Sequence, residues 1–104
     1  RLRTMKTNPL FSLGMMVATR AVADAMEGAP DTFGAFAKQC MRRHRTGDWG
    51  DMTEDDKAMN DEAVRQGNLR IFSAYENPNN PEWNLWIITE ADRSVTTLLF
   101  PGEY

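Results

Sequence analysis

The chain has 104 residues, 41% hydrophobic and 26% charged, with a formal net charge of −3, one cysteine and one histidine. That length supports a single core without metal or disulfide staples, and the mildly acidic balance argues against a general pull toward nucleic acid or anionic membrane. Cys40 alone excludes an internal disulfide framework and fits a reducing cytoplasm, and no apolar run approaches the ~20 residues that span a bilayer.

Residues 1–9 carry Arg1, Arg3 and Lys6 without the apolar stretch of a signal peptide, and are set aside as an N-terminal arm; residues 10–104 are read as one α+β domain. Over 10–19, Phe11, Leu13, Met15 and Val17 alternate with other residues and predict a strand, in which Gly14 marks a bulge or the close approach of another backbone. Thr19 is placed to cap a short helix over 20–27 that Gly28 ends. Asp31 and Gly47 bracket the clearest helix, 32–45. Its apolar stripe is Phe33, Phe36, Ala37, Cys40, Met41 and His44, and Lys38, Arg42, Arg43 and Arg45 gather toward the end where carbonyls are unpaired. After the tight connection Gly47-Asp48-Trp49-Gly50-Asp51, Thr53 caps a third helix over 54–66. It is acidic in its first turn through Glu54, Asp55 and Asp56, turns Met59, Ala63 and Val64 toward the core with Asn60 beside them, and stops at Gly67.

The last third is β-rich. Residues 69–75 predict a strand, 76–82 a loop dense in turn formers, and the runs 83–89 and 95–100, parted by Glu90-Ala91-Asp92-Arg93-Ser94, a hairpin. Trp83, Leu85 and Ile87 point one way, Trp86 and Ile88 the other, so this hairpin is expected inside a sheet with both faces covered. The architecture expected is an antiparallel sheet of about four strands, a C-terminal three-strand meander joined by the N-terminal strand, with about three helices over one face.

Several residues are candidates for chemistry. His44, near Asp48 and Asp51, reads either as a base or metal ligand, or as a helix-end histidine that packs with the stripe and bonds a backbone carbonyl; with no second histidine, the packing reading is preferred. The acidic run Asp48, Asp51, Glu54, Asp55 and Asp56 lacks the spacing of a calcium loop, and helix capping accounts for it. Trp49, between two glycines, is either an exposed anchor for a partner or a plug at the core edge. Glu90 or Asp92 as an acid, with Arg93 holding an anion and Asp48 nearby, is the candidate catalytic set. The alternative is an Asx-type turn at Asp92 and a carboxylate partner for Arg93. Trp49, His44, Asn60 and Arg93 are the candidate binding residues, and the convergence of Asp48, Trp49, Asn60 and the 90–94 tip in space decides whether a site exists. No cofactor and no metal is predicted. Arg42, Arg43 and Arg45 lack a neighbouring aromatic pattern and read as helix capping rather than phosphate contacts. No serine stands in a nucleophile elbow, and no loop is built to cradle phosphate.

The pattern His44-x-x-Gly47-Asp48-Trp49-Gly50, Asp56, Asn60, Ala63, Gly67, Arg70, Ser73, Tyr75, then Trp86-Ile87-Ile88-Thr89-Glu90-Ala91-Asp92-Arg93-Ser94 and Thr96-Thr97, resembles a family of small bacterial proteins carried on plasmids and other mobile elements. The resemblance covers most of residues 11–104, and 86–97 is its most specific part. Members often have Pro-Gly after the threonine matching Thr19, where this chain has Arg20-Ala21. The resemblance implies a mobile-element setting and no established reaction. Some members are described as a subunit of a type I restriction methyltransferase. This chain has no glycine-rich loop after its first strand for the methyl donor, and its nearest match to an Asn-Pro-Pro-aromatic motif, Asn77-Pro78-Asn79-Asn80-Pro81-Glu82-Trp83, is interrupted. The function expected is that of a cytoplasmic accessory protein acting by protein binding, without nucleic acid or membrane as partner and with a homodimer through an edge strand as an open option. The alternatives are a small hydrolase or nucleic-acid-processing enzyme built on the acidic and arginine cluster, and a nucleic-acid-binding regulator.

Overall fold

The computed structural model describes residues 9–104; residues 1–8, nearly all of the N-terminal arm, lie outside the described residues. The strands are Met15–Ala18 (β1), Ile71–Tyr75 (β2), Leu85–Thr89 (β3) and Val95–Leu99 (β4). The α-helices Arg20–Gly28 (α1), Ala35–Arg45 (α2) and Glu54–Gln66 (α3) all fall between β1 and β2 in the chain, which makes the fold α+β. The four strands form one sheet in the order β1-β4-β3-β2.

The meander is antiparallel, Tyr75 opposite Leu85 and Ile87 opposite Leu98. β1 departs from the expected antiparallel sheet: it is shorter than 10–19 and runs parallel to β4, Met15 opposite Val95 through Ala18 opposite Leu98. A parallel neighbour needs a long crossover, which everything from α1 to β3 supplies. Gly14 lets the chain enter this pairing. Its φ is +64°, and a Cβ there would lie 2.3 Å from the Ser94 carbonyl oxygen, so only glycine fits.

Helix ends follow the polar residues at them. Thr19 Oγ1 accepts the Val22 N–H at 3.2 Å, Thr53 Oγ1 accepts the Asp56 N–H at 3.1 Å, and Gly67 closes α3 in the left-handed region. Two ends differ from expectation. α1 runs through Gly28 to Ala29, and the helix expected after Asp31 begins with a wide turn at Pro30–Gly34 that leads into α2. Asp31 makes no capping bond; Pro30 opens the turn instead, because its missing N–H has no partner to lose at a first helical position.

In-register strand residues share a face. On the inward face Tyr75, Leu85, Ile87 and Leu98 pack on Val22, Phe33, Ala37 and Cys40 of α1, the wide turn and α2. Ile71 joins Trp49 and Ala63 in a second cluster closed by Phe11, Met52 and Val64. The fully buried Val, Leu, Ile and Phe side chains among these contribute about 1.5–3 kcal/mol each. The opposite face is not covered by α1 or α2. There Trp86 meets Phe72 edge-on at 4.9 Å and Tyr104 at 5.5 Å. On this face Ile88 lies opposite Phe72 and two residues from Trp86, and is 5% exposed. Both faces are apolar as expected, but the second is sheltered by its own aromatic groups and the C-terminal residues. Among the described residues no helix is long and apolar enough to cross a membrane.

The two edges of the sheet are treated differently. Along β2, Asn60 bonds both backbone groups of Phe72, the Ala74 N–H donates to the Trp49 carbonyl at 3.2 Å, and the Ala74 carbonyl accepts the Asp51 N–H at 2.7 Å. Asp51 then accepts the Glu76 N–H at 2.9 Å. Every outward group from the Phe72 N–H to the Glu76 N–H thus meets a cap. Along β1, Met15 and Thr19 donate inward to Ser94 and Leu98, while all four strand residues are exposed. By alternation Met16 and Ala18 turn their N–H and C=O outward, with no partner among the described residues.

Candidate functional site

His44 ends α2 in the interior, fully buried. Its Nδ1 lies 2.5 Å from Ser73 Oγ and its Nε2 lies 2.9 Å from Thr89 Oγ1. Thr89 Oγ1 in turn lies 2.7 Å from Thr96 Oγ1, which donates to the Leu13 carbonyl at 2.7 Å. That carbonyl fixes the direction of the chain. Thr96 gives its proton to Leu13 and accepts from Thr89; Thr89 then accepts from Nε2–H, and Nδ1 accepts from Ser73. Burial pushes the imidazole pKa down to about 3, so the ring is neutral. The expected backbone carbonyl is replaced by hydroxyls from two strands, and with both nitrogens occupied the ring has no lone pair to offer a substrate or metal.

The other candidates are drawn into the same framework. Trp49 is buried, its indole N–H donating to Asp61 at 2.9 Å and its ring 6.2 Å from that of Phe11. It is therefore placed as a core plug, not as an exposed anchor. Asn60 is buried against the β2 edge. Arg93, at φ +63°, donates to the carbonyls of Leu69 (2.6 Å), Ala63 (3.0 Å), Ala91 (3.1 Å) and Glu90 (3.2 Å). Its guanidinium thereby ties the hairpin tip to the last turn of α3, and its partners are carbonyls rather than the carboxylate expected. Asp92 makes the Asx-type turn, accepting the Ser94 N–H at 3.0 Å and hydroxyl at 2.6 Å, and these bonds lower its carboxyl pKa.

Asp48 accepts two bonds from Arg43, at 2.7 and 3.1 Å, and the Arg43 guanidinium stands 4.7 Å above the Tyr75 ring. That pairing holds the Asp48 carboxyl below its usual range. Glu90 pairs with Arg70 at 3.4 Å. His44, Trp49 and Arg93 do converge, all three packing on the Phe11 ring, but as support for one another. No bond among the described residues links Asp48 to Glu90 or Asp92. No group of three or more His, Cys, Asp or Glu side chains among them can hold a metal. Cys40 is buried and its thiol is pushed up to about 12 by desolvation, which keeps it protonated.

What lies open is a groove on the face away from α1 and α2. Two concavities of about 410 and 220 Å³ share Arg70 and Phe72. The first is walled by Met52, Met59 and Leu69, the second by Trp86, Ile88 and Tyr104. Met59, expected toward the core, is instead 68% exposed, and Tyr104 is 73% exposed. None of the candidate binding residues except Asn60 lines this groove. Its signal was parity: Phe72 stands between inward Ile71 and Ser73, which puts an aromatic ring on the outward face. A separate hollow of about 620 Å³ lies between the start of α2 and the 77–83 loop, with Asp31, Phe36, Gln39, Asn79 and Trp83 in its lining.

Comparison with protein-family models, with curated proteins and with solved structures returns no match.

Proposed function

We propose that this chain is a non-enzymatic protein-binding domain, an accessory product of a bacterial mobile element, and that its partner seats on the groove around Phe72. The observation that supports the binding role is the groove itself. Large apolar side chains that remain exposed in a continuous concavity mark contact surfaces, and methionine and aromatic groups are suited to them. Arg70, paired with Glu90 at the junction of the two concavities, gives the apolar floor a polar rim. The alternative reading as an enzyme would need Asp48, Glu90, Asp92 and Arg93 free and convergent, whereas each is held by a structural partner. The mobile-element setting rests on the sequence pattern from His44 to Thr97 alone.

The test is affinity capture from a bacterial host lysate with the wild-type chain beside Leu69→Glu and Met59→Glu. Both positions are exposed, so the variants place a charge in the groove and leave the core intact. A partner held by the wild type and lost by both variants supports the proposal. Failure to capture any partner, or capture of the same partner by all three proteins, contradicts it.

A further inference from the structure

We propose that β1 is an interface between two copies of this chain, paired antiparallel about a two-fold axis so that the two four-stranded sheets become one. The inference is independent of the groove around Phe72, which lies at the opposite end of the sheet.

The backbone sets the chemistry of the occupant. Met16 and Ala18 present outward N–H and C=O groups, and an extended segment laid along the strand satisfies donors and acceptors in that alternation. Their spacing makes the edge its own complement. Antiparallel strands exchange two bonds between each hydrogen-bonded pair, so Met16 of one copy facing Ala18 of the other, and the reverse, satisfies all of these groups at once. Val17 then meets its own counterpart on the axis, where Cα atoms approach to about 4.5 Å in a non-hydrogen-bonded pair.

Side chains agree with this register. At a two-fold axis a residue faces its own kind, and a charge would face a like charge. Residues 10–19 carry no charged residue at all. Met15, Met16 and Val17 are exposed at 66%, 39% and 36%, which offers apolar area on both faces of the strand. Edge strands that must not pair are blunted by charge, proline, a bulge or a covering segment. The β2 edge is covered from Phe72 to Glu76 by Asn60 and the 49–51 segment, and β1 has none of these devices among the described residues.

The test is the mass of the full chain by light scattering on size exclusion, for the wild type, for Val17→Lys and Val17→Glu separately, and for the two variants mixed. The proposal predicts twice the monomer mass for the wild type, the monomer mass for each variant with an unchanged circular dichroism spectrum, and recovery of the dimer in the mixture, where opposite charges meet on the axis. A monomeric wild type overturns it, and so does a dimer that survives both substitutions. Amide exchange of the wild type gives a second readout that needs no variant. Met16 and Ala18 should be protected at high protein concentration and lose that protection on dilution; exchange that is equally fast at both concentrations overturns the proposal.

Discussion

Asn60 holds Phe72 as a neighbouring strand would, its side-chain carbonyl accepting the Phe72 N–H at 3.1 Å and its amide donating to the Phe72 carbonyl at 2.6 Å. One side chain on α3 thus completes the ladder of β2 where the backbone of 49–51 does not reach. The pair also docks α3 against the sheet, so the same two bonds close an edge and position the wall of the groove that Met59 and Leu69 share with Phe72. Structural sealing and the proposed contact surface meet at this residue.

Replacing Asn60 with leucine fills the same space and satisfies neither Phe72 group. A buried, unpaired backbone donor or acceptor costs about 1–3 kcal/mol. Asn60→Leu should therefore lower the unfolding free energy by about 2–3 kcal/mol in urea titration. Asn60→Asp, which keeps the acceptor but sets a carboxylate oxygen against the Phe72 carbonyl, should also be less stable than the wild type.

His44 links stability to pH. An unfolded histidine titrates near 6.5, whereas burial holds His44 neutral down to about 3. As pH falls, the unfolded chain takes up the proton first. The contribution of His44 is complete above pH 6.5 and should be lost at about 1.4 kcal/mol per pH unit between there and about 3. His44→Gln should be less stable than the wild type at neutral pH and show a flatter decline over that window. Urea unfolding at a series of pH values measures both slopes. The lowered Asp48 carboxyl adds its own loss only at more acid pH, as pH drops below the ordinary carboxylate range.

Gly50 and Gly67 both adopt positive φ, at 81° and 78°, but only one is crowded. A Cβ on Gly50 would lie 2.1 Å from the Ala74 carbonyl oxygen; one on Gly67 meets nothing within 4 Å. Gly67→Ala should cost only the left-handed penalty, about 1–2 kcal/mol. Gly50→Ala adds a backbone collision that forces the 49–51 segment off β2, and should cost more than about 3 kcal/mol. Thermal unfolding of the two variants side by side separates strain from crowding.

Arg93 combines a strained backbone with a many-bonded side chain. Arg93→Ala keeps the positive φ and loses the bonds to four carbonyls, whereas Arg93→Gly loses the bonds and relieves the strain. The expected order of melting temperature is wild type, then Arg93→Gly, then Arg93→Ala, the two variants separated by about 1 kcal/mol.

Much of the fold was legible because it is local. The β-branched and aromatic runs around Glu90–Ser94 gave the hairpin, and Thr53 with Gly67 gave α3 its limits. Gly14 was readable as a close approach of another backbone, but its partner at Ser94 is eighty residues away by number and no periodicity points to it. The parallel pairing of β1 was hidden for the same reason. Ser73, Thr89 and Thr96 occupy inward positions in otherwise apolar alternations, which is the trace a buried polar chain leaves in sequence; that they meet His44 depends on three strands coming into register. The candidate site residues were visible as unusual, and the structure accounts for them as struts: Trp49, Asn60 and Arg93 bond carboxylate or backbone groups, leaving little for a ligand.

The most direct measurement is residue-resolved amide hydrogen exchange on the Val17→Lys chain, in which pairing between copies is blocked. With the β2 edge sealed and the β1 edge open, the Phe72 and Ala74 amides should exchange at rates near that of global unfolding, and the Met16 and Ala18 amides orders of magnitude faster. Exchange at Phe72 and Ala74 as rapid as at Met16 would contradict the account.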